Sequence, residues 1–162
     1  MKTEQVLSIE QMRRLQKLGV DTSTASFFYD LKYGGDLDEV KYPKRLPRYI
    51  QDGNGIGAFT LQDILGIMPV LYPTMENGKR ILVDNRQPDS GCHYQPTIFH
   101  SEDGWFCSYF DSDELLDERT SDSYDNPLDA AYDMLCWLYE NNYLPLKTNS
   151  NKIRKESNET AI

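Results

Sequence analysis

Cys92, His93, His100 and Cys107 are the residues whose types could carry chemistry, and they form the pattern C-H-x6-H-x6-C. Two thiolates and two imidazoles can hold zinc tetrahedrally, but zinc units are organised by a close C-x2-C pair that this spacing lacks. No metal and no cofactor is therefore expected. The same residues allow a second chemistry, a nucleophilic pair made of Cys107 with His93 or of Cys92 with His100. Such a pair needs the base within hydrogen-bond reach, a third group to orient it and an oxyanion pocket. A hairpin joining Thr97–His100 to Trp105–Phe110 gives a geometric expectation. With Glu102-Asp103-Gly104 as its loop, Ser101 faces Trp105, Phe99 faces Cys107 and His100 faces Phe106. Neighbours on a strand point to opposite sides, so Cys107 and His100 then lie on opposite faces; a slip of one residue would reverse this.

Gly53-Asn54-Gly55-Ile56-Gly57 precedes a helix and invites a phosphate-cradling reading. A dinucleotide fingerprint needs G-x-G-x-x-G, and here the third glycine comes one residue early. A P-loop ends in G-K-[ST], whereas this run continues Ala58-Phe59-Thr60. A flexible turn entering the Thr60 helix is the simpler expectation.

Acid density is the strongest anomaly. Residues 102–133 hold eleven acids and one base, Arg119, for a net of −10, while the rest of the chain is at +1. Lining up an EF-hand from Asp111 puts Leu116 at the glycine position and Asp122 where a bidentate Glu belongs, so that motif fails, and only looser calcium binding is left. Three readings remain: a solvated loop, acids favoured by the dipole of the last helix, or a surface that docks a basic partner. The docking reading names Asp111, Asp113, Glu114, Asp117, Glu118 and Asp122 as binding residues. Tyr94, Phe99, Trp105, Phe106, Tyr109 and Phe110 occupy both faces of the neighbouring hairpin, where core packing is the first use for them.

Local signals predict the elements that must position these groups. Ser8 and Gln11 form an S-x-x-Q capping box for a helix that ends at Gly19, with an apolar stripe of Ile9, Met12, Leu15 and Leu18. Its other face carries Arg13, Arg14 and Lys17. Ala25–Leu31 has the aromatic content of a strand, and Gly34-Gly35 ends it. Asp36–Pro47, with two prolines and alternating charges, is expected to be a surface connection, and Arg48–Gln51 a short strand. Thr60, with Asp63 at the third helical position, caps a short helix stopped by Pro69. KRILVD at 79–84 is a strand entered through Asn77-Gly78. Asn126 caps the last helix, with Pro127 first and Leu128, Ala131, Tyr132, Leu135, Leu138 and Tyr139 at helical spacing. Residues 147–162 are polar enough to be a mobile tail.

The chain has 162 residues, 39% hydrophobic, with a net charge of −9. That is enough for one buried core, assigned to residues 1–146. No apolar run reaches the roughly 20 residues of a membrane-spanning helix, and no signal-peptide core opens the chain. Three cysteines with no export signal fit reduced thiols in a cytoplasm, packed as small hydrophobes. The acidic balance disfavours nucleic acid, whose binding rests on Lys and Arg.

LSIEQMRRLQKLGVDTSTAS, AFTLQDILGIMP and NPLDAAYDMLCWLYENNYL together resemble segments of small prophage and mobile-element proteins of gut anaerobic bacteria. All three are capped helices with apolar faces, so they carry fold and not chemistry. The resemblance implies a bacterial, cytoplasmic chain with an accessory role such as binding, inhibition or immunity, and it transfers no site residue.

The expected fold is α+β: a mostly antiparallel sheet of three to five strands with about three helices packed mainly on one face. The expected function is a non-enzymatic interaction protein that presents the acidic 102–133 surface to a basic protein partner. A small hydrolase built on Cys107 or Cys92 with His93 or His100 is the alternative.

Overall fold

The computed structural model describes residues 5–41, 46–76, 79–84, 94–110 and 115–144; for 47, 72–76, 79–84, 110 and 115–119 it describes the backbone alone. The Asn77-Gly78 link and the 147–162 tail lie outside the described residues. Among the described residues, four helices and eight strands follow in the order α1 (Ile9–Lys17), β1 (Phe27–Asp30), β2 (Asp36–Glu39), α2 (Leu46–Gln51), β3 (Gly55–Ala58), α3 (Leu61–Ile67), β4 (Leu71–Glu76), β5 (Lys79–Asp84), β6 (Gln95–Ser101), β7 (Gly104–Phe110), β8 (Leu115–Thr120) and α4 (Pro127–Glu140). Short 3-10 turns at Thr22–Thr24 and Leu31–Tyr33 flank β1. The fold is α+β with antiparallel pairing throughout the described strands. These strands divide into three small sheets, β2-β1-β3, β4-β5 and β6-β7-β8.

The helices start where their caps place them. Ser8 accepts from the Gln11 amide while the Gln11 side chain accepts from the Ser8 amide, and Thr60 and Asp63 form the same reciprocal box on α3. Asn126 accepts from the Asp129 amide at 2.9 Å, with Pro127 in the first turn. Gly19 takes the left-handed conformation, φ 90°, just past the end of α1.

Helix α4 supplies the largest share of the core, burying Leu128, Ala131, Met134, Leu135 and Leu138 against β7 and α3. Helix α1 adds Met12 and Leu15, and α3 adds Ile64. On the β6-β7 hairpin, Cys107 and Tyr109 face this core, and the Tyr109 hydroxyl donates to the Pro69 carbonyl at 3.0 Å. Tyr29 points inward from β1 and donates to the Leu7 carbonyl at 2.9 Å.

Four local expectations change in the folded chain. Arg48–Gln51 is helical, as the second half of α2, because Tyr49 packs as a helix residue on the sheet below. Asp36–Glu39, inside the expected connection, pairs with β1 as strand β2 across the Gly34-Gly35 turn. The glycine run is a turn only at Gly53-Asn54, with Gly53 at φ 74°, whereas Gly55–Ala58 is a wholly buried strand paired with β1. Leu115–Thr120, inside the acidic segment for which a solvated loop is one of three readings, pairs with β7 through an irregular register between Ser108 and Phe110.

Glycines are required in β3 because other groups lie flat on it. A Cβ at Gly55 would sit 2.9 Å from the Tyr49 ring, and one at Gly57 would sit 2.2 Å from the Thr22 carbonyl oxygen. This is close backbone approach, which only glycine allows in a strand interior.

Candidate functional site

Among the described residues three places hold chemistry-bearing groups: the Cys-His face of the hairpin, the hairpin end with its acids, and a cleft over β1 and β2.

The hairpin register differs from the sequence expectation. Ser101 pairs with Gly104, His100 with Trp105, Phe99 with Phe106 and Ile98 with Cys107, so the loop is Glu102-Asp103 alone. Residues 123–124 decide this. Trp105 and Tyr124 exchange backbone hydrogen bonds of 2.8 and 3.0 Å, and Ser123 donates to the Asp103 carbonyl. A Cβ at residue 104 would lie 2.6 Å from the Ser123 hydroxyl oxygen, so glycine, here at φ 128°, must stand where that segment crosses. The one-residue shift moves Cys107 and His100 onto the same face, reversing the opposite-face expectation.

Sharing a face does not make them a catalytic pair. They are diagonal neighbours, a separation of roughly 7–8 Å between strands. The His100 ring packs edge-on against Trp105 at 5.0 Å and is exposed, whereas Cys107 is completely buried. Burial first, and then the charge of Asp133, pushes the Cys107 thiol from 9.0 up to about 12. A thiol held this way is not a nucleophile near neutral pH. Cys92 and His93 lie outside the described residues. Among the described residues no group of three His, Cys, Asp or Glu is placed to hold a metal ion.

A pH dependence follows from these buried acids. Cys107 and, through burial and its neighbour Cys136, Tyr132 are both raised to about 12, from 9.0 and 10.0. The folded chain keeps these protons where the unfolded chain releases them, so stability is at full value below 9.0 and falls as pH rises through about 12. Urea unfolding midpoints should hold steady to about pH 8 and then decline. In the native protein at that pH, Cys107 and Cys136 should react with a thiol reagent only as fast as the chain opens.

The same 123–124 crossing gathers acids at the hairpin end. Glu102 and Asp103 form its loop, and Asp122 and Asp125 flank the Ser123-Tyr124 segment; all four are exposed. Among the described residues none of them has a Lys or Arg within ion-pair distance. Asp129 belongs to a different arrangement. It sits in the first turn of α4 and accepts from Gln11 of α1 at 2.7 Å and from the Asn126 side chain at 2.6 Å. Of the acids expected to bind, Asp122 is thus displayed at this end, Asp117 and Glu118 belong to strand β8, and Asp111, Asp113 and Glu114 lie outside the described residues, as do the Asp117 and Glu118 side chains.

Sequence reading missed the third place. A cleft of about 730 Å³ opens between β1, β2 and α2, lined by Phe28, Asp30, Asp38, Glu39, Val40, Lys41, Leu46, Arg48, Tyr49 and Asp52. Strand alternation puts Phe28 and Asp30 on one face of β1, with Asp38 directly across from Phe28 and Asp36 across from Asp30. Tyr49 closes the floor because Gly55 has no side chain, and it meets Phe28 edge to face at 5.8 Å. Its hydroxyl donates to Asp30 Oδ1 at 2.9 Å, and the Lys32 and Tyr33 amides donate to that same oxygen at 3.1 and 3.3 Å. Partial desolvation, followed by the bond to Asp30, raises the Tyr49 phenol above 10.0. The signal was present as F-x-D and D-x-D alternation on either side of Gly34-Gly35, but it needed the strand pairing to be read.

Comparison with protein-family models, curated proteins and solved structures found no match. Among the described residues no helix is long and apolar enough to cross a membrane.

Proposed function

We propose that this chain is a non-enzymatic, cytoplasmic interaction protein that presents its acidic hairpin end to a basic protein partner. The observation that carries this reading is the gathering of Glu102, Asp103, Asp122 and Asp125 at one end of the hairpin, with no Lys or Arg within ion-pair distance among the described residues. Nearby like charges without partners raise the local field, which speeds and orients the approach of a positive surface and is weakened by salt. The resemblance to mobile-element proteins favours an inhibitory or immunity-like use of such a surface. A Cys-His hydrolase is less well supported, because the described cysteine on the histidine's face is buried as a neutral thiol.

The test is capture of a basic protein from bacterial lysate by the immobilised chain, compared with a variant carrying Glu102→Gln, Asp103→Asn, Asp122→Asn and Asp125→Asn. Capture should fall by roughly tenfold or more if each lost rim contact is worth a few tenths of a kcal/mol. It should also fall with added salt. Equal capture by the variant would remove the hairpin end from the proposal.

A further inference from the structure

We propose that the cleft between β1, β2 and α2 is a second binding site, an anchor for the guanidinium of an arginine side chain on a partner peptide. This site is separate from the hairpin end and does not depend on it. Four carboxylates, Asp30, Asp38, Glu39 and Asp52, line the cleft against two cations, Lys41 and Arg48. Arg48 stands 3.9 Å from Asp52, both well exposed, which leaves Asp30, Asp38 and Glu39 with no ion pair among the described residues. Asp30 is the informative group. All three of its side-chain hydrogen bonds fall on Oδ1, holding the carboxylate in a fixed pose while Oδ2 takes none of them. Directly opposite on β2 is Asp36, and like charges on cross-strand partners are destabilising unless a cation relieves them.

The floor distinguishes the kind of cation. Phe28, Tyr49, Leu46 and Val40 line the same cleft and give it apolar and aromatic surface beside the carboxylates. A planar guanidinium stacks on rings, loses little hydration and bonds a carboxylate through two donors, whereas an ammonium is a compact and strongly hydrated charge. A bare metal cation would use the carboxylates and gain nothing from the rings. The cleft volume exceeds one side chain, and β2 is an edge strand, so a peptide can pass along it while one arginine enters.

The experiment is an NMR titration of the full chain with N-acetyl-arginine amide, alongside the lysine and glutamine analogues. Arginine should produce saturable shifts at Phe28, Asp30 and Tyr49 that weaken with salt; lysine should bind less tightly and glutamine not at all. Asp30→Asn keeps the capping oxygen and replaces the free one by a donor, so the fold is retained while affinity falls roughly fivefold, the size of a half-exposed charge contact. Asp38→Asn, at an exposed strand position, should weaken binding as well. The fourfold hairpin variant should bind arginine as wild type does, which separates this site from the proposed protein-docking surface. Absence of saturable shifts, equal affinity for glutamine or lysine, or full affinity in both single variants would overturn the assignment.

Discussion

Replacing Gly57 by alanine should destabilise the protein by roughly 3 kcal/mol, the upper part of the range for overpacking a rigid site. The new Cβ would lie 2.2 Å from the Thr22 carbonyl oxygen and 3.0 Å from the Ala25 Cβ, and neither is the loose end of a flexible side chain. Either the 3-10 turn at Thr22–Thr24 lifts away or β3 separates from β1. For a chain of this size, Tm should drop by roughly 6–12 °C, read by thermal unfolding monitored by circular dichroism. Gly66→Ala is the matched control. That glycine lies inside α3 with nothing within 4 Å of an added Cβ, so the change should stabilise by up to about 1 kcal/mol through helix propensity alone. If Gly57→Ala unfolds at the wild-type temperature, the close approach of the turn to β3 is wrong. The consequence reaches the cleft, because β3 also supplies Gly55, the step on which Tyr49 rests.

The second large effect concerns Tyr109. Among the described residues it is the largest fully buried side chain, and it belongs to the core cluster that holds the buried residues of α4. Tyr109→Ala should cost about 3–5 kcal/mol, from lost burial together with the cavity left behind. Against a total stability of about 5–15 kcal/mol, that is enough to populate unfolded chains under mild conditions. Tyr109→Phe keeps the ring and removes only the hydroxyl that donates to the Pro69 carbonyl, so its cost should be about 1–2 kcal/mol. Urea unfolding of the two variants separates the ring from the hydrogen bond. Equal losses would mean that the link to Pro69, rather than core filling, explains the residue's burial.

The elements that were legible in the sequence are those whose causes lie within a few residues. Ser8 with Gln11, Thr60 with Asp63 and Asn126 with Pro127 each satisfy the free amides of the helix that follows them, so three of the four helices begin where those caps predict. Helix α2 has no such described cap, and its short LPRYIQ segment carries a β-branched and an aromatic residue that also suit a strand. Its helical state comes from packing on β3. Strand β3 itself was hidden because glycine has low strand propensity, and only the approach of Tyr49 and Thr22 shows why glycine is needed there. The acidic segment containing β8 shows no strand signal because charge dominates its composition, whereas pairing with β7 uses the backbone and is indifferent to composition.

The candidate sites divide along the same line. From the chain alone came the α+β class, the capped helices and the concentration of acid in residues 102–133, since composition and short spacings are properties of the chain itself. Only the tertiary structure could decide the hairpin register, because the segment that sets it, Ser123-Tyr124, arrives from some twenty residues downstream. That single register choice places Cys107 and His100 on one face, and the same crossing brings Glu102 and Asp103 to the end of the hairpin where Asp122 and Asp125 flank it. The cleft likewise exists only once β1, β2 and α2 meet and Tyr49 settles over Gly55. Short-range hydrogen bonds fix local elements, while the alignment of side chains from distant segments is set by which backbones can approach each other.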